Sequence, residues 1–254
     1  MAIAITFQGH AEDADGGSSS TFTSVNIGDA ATDRMVVVGL SVIVNSSDAS
    51  VPTCTIGGVS ATQILQRASA SNAGFQCVFY ILNVTSGTTA TIVITKGGTS
   101  DMNRCGIGYW SMTGQGTGTT PYATASNDGT SPTIGTTINI AANGGVIAIS
   151  ENSAMEGGNT TTWTGVTERY DTATAGFVLH SGANDNFANA ATGATIQAAW
   201  TGAATNYDVI AAVSFALPVV GPANVKTING LAIASVKTVN GLAIASVKTW
   251  NGLA

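Results

Sequence analysis

The sequence predicts an all-β protein: a two-sheet sandwich resembling a jelly roll, followed by a C-terminal appendage of repeated β-hairpins. Runs of β-branched and aromatic residues recur along the chain. Gly-rich turns separate these runs, often at intervals of about eight to twelve residues, as in sandwiches. No segment has the periodicity of an amphipathic helix. The last thirty residues consist of short, nearly identical copies.

The predicted strands differ in how apolar they are. Arg34–Val44 and Phe75–Leu82 are apolar almost throughout, which is typical of strands covered on both faces. Thr89–Thr95 alternates polar and apolar residues, so one face is expected to meet water. The Ala-rich stretch 183–195 is broken by Gly and Asn and is predicted to be a loop. The other predicted strands are Cys105–Met112, Thr136–Ile140, Gly145–Ser150, Thr160–Arg169, Gly176–His180, Thr195–Trp200 and Asp208–Phe215.

The chain is predicted to divide into a body, a linker and a repeat segment. Residues 1–216 contain the predicted strands and form the body. Residues 217–224 contain two prolines and a glycine, which favour a linker. In the repeat segment, residues 225–254, an 11-residue unit occurs twice and a shortened third copy follows. A unit this short cannot bury its own core, so it is expected to stack on itself or on other protein.

Each repeat contains Asn-Gly, the strongest short signal for a two-residue hairpin turn. A turn at Asn240-Gly241 would place Val239 opposite Leu242. The same register would place Leu231 opposite Trp250, and both faces of the ribbon would be largely apolar. An unstructured tail is the alternative, but the many Leu, Ile and Val residues disfavour it. The expected assembly interface comprises Leu231, Ile233, Val239, Leu242, Ile244, Trp250, Lys237 and Lys248.

The charge is low and unevenly distributed. Only 9% of the residues are charged. The body carries fourteen acidic against five basic residues, about −9, whereas the repeat segment carries three lysines and no acid. Without clustered Lys and Arg, the body is not expected to bind nucleic acid. The longest apolar run, Met35–Val44, is too short to span a bilayer, so no membrane insertion is expected. The N-terminus lacks the basic start of a signal peptide.

The chain offers few residues for catalysis or metal binding. His10 and His180 are interpreted as surface or edge residues. Glu12–Gly16 is interpreted as a solvated turn, because it lacks the spacing of a calcium-binding loop. No nucleophile elbow, zinc-protease motif or phosphate-binding loop occurs in the sequence, so no enzyme activity, cofactor or metal is expected. The cysteines are expected to be buried core residues: Cys54, Cys77 and Cys105.

Two other functions remain open from the sequence. Glycan binding uses aromatic platforms together with amide, carboxyl and hydroxyl groups. The first candidates for contact with a sugar are Trp163 and Tyr170, which flank an adjacent acid and base. Polysaccharide hydrolysis would require a pair of carboxylates. The candidates for such a pair are Glu151, Glu156 and Glu168.

Four segments of the body and the C-terminal copies resemble known proteins. The segments are 28–38 (GDAATDRMVVV), 54–59 (CTIGGV), 80–94 (YILNVTSGTTATIVI) and 108–114 (GYWSMTG). They resemble a β-sandwich module of tailed-phage and bacterial surface proteins, and the VKTxNGLA copies resemble C-terminal repeats of phage structural proteins. The resemblance implies a head decoration, fibre or tail component without catalytic residues.

The same resemblance implies a location and partners. A virion protein is made in the host cytoplasm and needs no export signal, and an extracellular or cell-surface location is the alternative. By analogy with fibres and decorations, we expect a homotrimer that contacts other virion proteins. A host surface glycan is the further partner considered.

Overall fold

The structure is a computed structural model, and it confirms the all-β fold. The described residues contain no helix, and hence none long and apolar enough to cross a membrane. The repeat segment and residues 173–174 and 178–179 are described by backbone alone. The described residues are 2–44, 50–98, 100–153, 160–174, 178–201, 207–218, 227–228, 231–232, 238–239 and 242–243.

Seventeen strands are described in the body. The first nine are β1 Ala4–Asp13, β2 Ser19–Asn26, β3 Met35–Val44, β4 Thr53–Ile56, β5 Val59–Ser60, β6 Thr62–Ala68, β7 Phe75–Asn83, β8 Thr89–Thr95 and β9 Met102–Thr113. The remaining eight are β10 Ala123–Gly129, β11 Thr133–Ile140, β12 Gly144–Asn152, β13 Thr161–Thr164, β14 Thr167–Thr174, β15 Val178–Phe187, β16 Ala191–Trp200 and β17 Asp208–Phe215.

The first nine strands form one sandwich. Sheet 1 has the strand order β1-β9-β3-β7-β6, and sheet 2 has the order β2-β8-β4-β5. Alternate residues of β3, including Val36 and Val38, share a core with Ile92 and Ile94 of β8. Val36 and Val38 are two residues apart, as are Ile92 and Ile94, because successive side chains of a strand point to opposite faces. One face of each sheet therefore closes the first core.

The last eight strands of the body form a second sandwich. Sheet 3 has the strand order β10-β17-β12-β15-β14, and sheet 4 has the order β11-β16-β13. Val146 and Ala148 of β12 share its core with Ile196 and Ala198 of β16. The spacing is again two residues, so the second core is built by the same alternation as the first.

The two sandwiches have the same topology. When β1–β4 and β6–β9 are matched in order to β10–β17, every strand takes the same place in its sheet, and β5 is the one addition among the described strands. A single two-sheet sandwich was predicted for residues 1–216, whereas the compact unit Met1–Ala216 contains two. Strand periodicity reveals that a face is buried, but it does not reveal which sheet covers that face.

Sheets 1 and 3 also pack face to face. The strands β3, β12 and β17 are therefore buried along their whole lengths. A Cβ atom at Gly39 of β3 would lie 2.7 Å from the Cγ2 atom of Ile149 on β12. On β9, a Cβ atom at Gly106 would lie 2.4 Å from Nε2 of His180. Both glycines thus allow an approach that any larger residue would prevent.

Arg34 joins the loops at one end of the first sandwich. Its side chain is fully buried, and its Nε donates a hydrogen bond of 2.7 Å to the carbonyl of Val84. The Nη1 and Nη2 groups donate to the carbonyls of Gly28 and Ser86. Burial lowers the pKa of Arg34, and the nearby Asp29 opposes this shift. The planar guanidinium is suited to this position because it presents several donors in fixed directions.

Several segments differ from the predicted pattern. The predicted strand Thr160–Arg169 is interrupted at Gly165, which has a positive φ of 86°, so the chain passes from β13 in sheet 4 to β14 in sheet 3. The predicted loop 183–195 lies in β15 and β16 except for residues 188–190. Glu12 was assigned to a solvated turn but lies in β1. Gly and Asn mark turns only on average, and tertiary packing keeps them in strands here.

Residues Leu217–Ala254 form a separate compact unit. Four short strands are described in it: β18 Thr227–Ile228, β19 Leu231–Ala232, β20 Thr238–Val239 and β21 Leu242–Ala243. β18 pairs with β19, and β20 pairs with β21, both antiparallel. The predicted linker 217–224 lies mostly outside the described residues, which include only Leu217 and Pro218 of it.

Replacing Arg34 with Met should destabilise the body, because three backbone carbonyls lose charge-assisted donors. We expect the free energy of unfolding to fall by about 3 kcal/mol or more, as measured by chemical denaturation. Arg34→Lys keeps the positive charge but not the planar set of donors of the guanidinium, and it should lose less stability than Arg34→Met. A loss below about 1 kcal/mol for Arg34→Met would contradict the role given to this side chain.

Candidate functional site

The repeat segment shows the same backbone pairing in two successive copies. Ile228 is the cross-strand partner of Leu231, and Val239 is the partner of Leu242. The second pair has the register predicted for a turn at Asn240-Gly241. The predicted partnership of Leu231 with Trp250 lies outside the described residues, as do Ile233, Lys237, Ile244 and Lys248.

The structure places Tyr170 in the interior, so its predicted contact with a glycan is wrong. Tyr170 is only 6% exposed. Its ring stacks on Phe7 at 5.6 Å and on His10 at 5.0 Å, measured between ring centroids. A Cβ atom at Gly108 or Gly182 would lie within 2.5 Å of this ring. Burial raises the pKa of the Tyr170 hydroxyl, and the ring serves to pack sheet 3 against sheet 1.

Trp163 has a different environment. It lies on β13, an edge strand of sheet 4, and its ring is half-buried. The indole Nε1 donates a hydrogen bond of 2.7 Å to Oγ of Ser181 on β15. The hydrogen bond fixes the ring orientation while part of the ring remains accessible. Trp163 therefore remains a candidate for contact with a ligand.

Glu151 and Glu168, two of the three candidate carboxylates for hydrolysis, do not form a pair. Glu151 is fully buried on β12 and faces the backbone amides of Gln76 and Val42. Burial raises its pKa well above the ordinary value, the two amides oppose this shift, and the nearby Asp208 adds to it. Glu168 is exposed on β14 and lies at a different level of sheet 3. Glu156 lies outside the described residues.

The two histidines occupy unlike sites. His10 is exposed on the edge strand β1, as predicted. Partial burial of its ring lowers its pKa, His180 adds to this shift, and Glu12 opposes it. His180 is only 1% exposed on an inner strand, so its assignment to the surface or an edge is wrong. Its Nε2 lies 3.5 Å from Oε1 of Glu12. Neither ring nitrogen of His180 has a hydrogen-bond partner in the described residues, so no hydroxyl nucleophile is engaged.

The acidic turn and the cysteines show no metal chemistry in the described residues. Glu12 accepts a hydrogen bond from the hydroxyl of Thr172, and Asp13 accepts one from the amide of Asp15. The described part of the chain contains no group of three or more His, Cys, Asp or Glu arranged for a metal. All three cysteines are free and buried, as predicted. Burial raises the pKa of both Cys54 and Cys105 to about 12.

A cleft of about 450 Å³ opens between the edge strands β1 and β14. Sequence analysis did not find it, because it is formed by strands of different sandwiches that are far apart in the chain. Phe7 was not a candidate either, because in the sequence it is only one apolar residue in an alternating pattern. The cleft is lined by Ile5, Thr6, Phe7, Glu168 and Arg169.

Replacing Glu151 with Gln should stabilise the body at neutral and alkaline pH. The unfolded chain ionises this carboxyl near 4.5, whereas burial keeps it protonated to a much higher pH in the folded chain. Stability is therefore lost as the pH rises from the unfolded pKa towards the folded pKa, and the Gln variant avoids this loss.

Thermal melts from about pH 4 to about pH 9 should show a gain in Tm for Glu151→Gln that grows with pH. Asp101→Asn changes an exposed acid and serves as the control. A gain that is the same at every pH, or a loss at alkaline pH, would contradict the assigned environment of Glu151.

Comparisons with known proteins identify no relative of this chain. No family model, no curated protein and no solved structure matches it. The features of this chain that bear on function are the repeat segment, the half-buried Trp163 and the cleft between β1 and β14.

Proposed function

We propose that this chain is a non-enzymatic structural protein of a tailed-phage virion and assembles through its C-terminal repeats. The observation that carries the proposal is the repeated backbone pairing of the C-terminal copies. Thr227–Ile228 with Leu231–Ala232 and Thr238–Val239 with Leu242–Ala243 have the same register at the same place in the 11-residue unit. The resemblance of these copies to repeats on phage structural proteins supports the setting in a head decoration, fibre or tail.

The physical basis of assembly is burial of apolar surface. A single two-stranded hairpin is at best marginally stable in water. If one hairpin buries about 600 Å² of apolar surface, the gross gain is about 15 kcal/mol at about 25 cal/mol per Å², before the costs of association. Burial of this surface would stabilise a homotrimer of intertwined repeats. It would equally stabilise attachment of the repeats to another virion protein.

The body supports a scaffolding role more than a catalytic one. Within the described residues, Glu151 is inaccessible, and the two histidines engage no nucleophile. Polysaccharide hydrolysis is therefore less favoured than either assembly or binding. Synthesis in the host cytoplasm followed by incorporation into the virion fits a chain with few charges and a sandwich body.

Deleting residues 217–254 should abolish trimer formation, because the body loses the segment that is proposed to bind neighbouring chains. Size-exclusion chromatography with light scattering measures the mass of the full chain and of the truncated chain. The full chain should be trimeric and the truncated chain monomeric.

A pair of full-length variants controls for other effects of the deletion. Leu231→Asp combined with Leu242→Asp places charges on the proposed interface and should also yield monomers. Lys237→Gln removes a charge but no apolar surface and should leave the trimer intact. A truncated chain that keeps the mass of the full-length oligomer would rule out assembly through the repeats.

Glycan binding is the second candidate function, and the half-buried, hydrogen-bonded ring of Trp163 favours it. A glycan array probed with the full chain tests it. Trp163→Ala should abolish specific binding if this ring is the platform, whereas Trp163→Phe keeps an aromatic face and should retain part of it. Binding that survives Trp163→Ala unchanged would exclude this residue as the contact.

A further inference from the structure

The packed faces of sheets 1 and 3 have two edges that are topologically equivalent. At one edge, β6 of sheet 1 contacts β10 of sheet 3, and at the other, β1 contacts β14. In the shared topology, β6 corresponds to β14 and β1 corresponds to β10. The same two kinds of strand therefore meet at both edges. The two edges therefore differ in their side chains and not in the kinds of strand that meet there. Each edge can be compared directly with the other.

The edge between β6 and β10 is closed by an ion pair. The guanidinium of Arg67 on β6 binds the carboxylate of Asp128 on β10. The other oxygen of Asp128 accepts a hydrogen bond of 2.6 Å from the amide of Ala70. The opposite charges at this edge come from different sheets and neutralise each other, so they hold the two sandwiches together.

The edge between β1 and β14 is held at two places and open between them. The amide of Ile5 donates a hydrogen bond of 3.1 Å to Oδ1 of Asn186 on β15. Further along, the hydroxyl of Thr172 on β14 donates to the carboxylate of Glu12 on β1. The cleft of about 450 Å³ adjoins the first contact, because Ile5 also lines it. On β14, Glu168 pairs with Ala183 of β15, which lies between Asn186 and His180, the partner of Thr172. The cleft is therefore a bounded gap and not a frayed end of the interface.

Irregular backbone occurs in both strands at this place. The register of β1 with β9 shifts between Phe7 and Gly9, and the register of β14 with β15 shifts between Glu168 and Tyr170. Such bulges redirect the side chains of an edge strand and are frequent beside binding sites. Here they interrupt the regular alternation of both strands beside the cleft.

The two charged side chains of this cleft have donor and acceptor atoms that can still form hydrogen bonds with a ligand. Arg169 donates from Nε and Nη2 to Asn184, which fixes its guanidinium and leaves Nη1 for another acceptor. The carboxylate of Glu168 receives no hydrogen bond from the described residues. Both charges lie on β14, and β1 contributes no charged residue to the lining of the cleft. The charge pairing that closes the equivalent edge is thus absent here.

Phe7 supplies the apolar wall. Its ring is half-buried and lines the cleft, and its orientation is held by Tyr170, with an interplanar angle of 14°, and by Trp110. Trp110 is itself tied to Asn184 by a hydrogen bond of 3.0 Å. Asn184 therefore positions both the aromatic cluster and Arg169, so the apolar wall and the polar groups have a common support.

We propose that the cleft between β1 and β14 binds a neutral saccharide, with Phe7 as the apolar platform and Glu168 and Arg169 as partners of the sugar hydroxyls. The proposal deepens the second candidate function and is independent of assembly through the repeats. It moves the proposed contact from Tyr170 and Trp163 to the edge between β1 and β14.

The chemistry of the cleft favours a neutral sugar over a charged ligand. A carboxylate accepts and a guanidinium donates, and a sugar hydroxyl can do both at once. Glu168 and Arg169 are adjacent and opposite in charge, so the attraction of one of them for a charged ligand is offset by repulsion from the other. A cleft with an aromatic wall and a few fixed polar groups is the usual form of a small-ligand site.

A glycan array that carries neutral hexose, N-acetylhexosamine and uronic-acid oligosaccharides tests the proposal with the full chain. Calorimetry with the best neutral oligosaccharide then compares variants. Glu168→Gln should weaken binding at least tenfold without loss of stability, because this side chain makes no hydrogen bond within the described residues. Arg169→Lys and Phe7→Leu should weaken it as well.

Two variants serve as matched controls. Arg67→Lys changes the same residue type at the equivalent edge and should leave saccharide binding unchanged. Trp163→Ala removes the alternative platform and should leave binding unchanged if the cleft between β1 and β14 is the site. Equal affinity of Glu168→Gln and the wild type, with loss in Trp163→Ala, would overturn the site but keep glycan binding. Binding to none of the oligosaccharides, or to the acidic ones alone, would overturn the proposed ligand.

Discussion

A sheet that is apolar on both faces must be covered on both faces, and this constraint organises the chain. β3 and β12 are buried at every residue, so neither strand offers a face to water. One face of each closes the core of its own sandwich, and the other closes the contact between sheets 1 and 3. Exposure would cost about 25 cal/mol for each Å² of apolar surface. Neither sandwich is therefore complete without the other, and we propose that the same requirement applies to the repeats.

The contact between sheets 1 and 3 also contains ionisable groups. Burial raises the pKa of both Glu151 and Tyr170, so the interface favours their neutral forms. Space for large rings comes from glycines on neighbouring strands, as at Gly106 beside His180. Bringing such groups between sheets costs desolvation that an apolar residue would not incur. The specific fit of ring to glycine fixes the register of one sheet on the other, which generic apolar packing would leave less defined.

Local patterns in the sequence predict the strands better than their arrangement. The almost wholly apolar run of β3 predicted a strand covered on both faces, and the structure confirms it. The duplication of the sandwich was not predicted, because equivalent strands share their topology while their residues differ, as in β3 (MVVVGLSVIV) and β12 (GGVIAISEN). Trp163 and Tyr170 looked alike in sequence, yet one is accessible and the other is enclosed by Gly108 and Gly182. Such differences arise from contacts between distant strands, which periodicity does not encode.

Apolar faces within the body are covered by the partner sheet, and we propose that those of residues 225–254 are covered by neighbouring chains. Amide hydrogen exchange on the assembled full-length protein tests this most directly. We expect the amides of the repeat segment to be protected from exchange in the assembly about as well as the amides in the strands of the body. Exchange of these amides at the rate of an unstructured peptide in the assembled protein would contradict it.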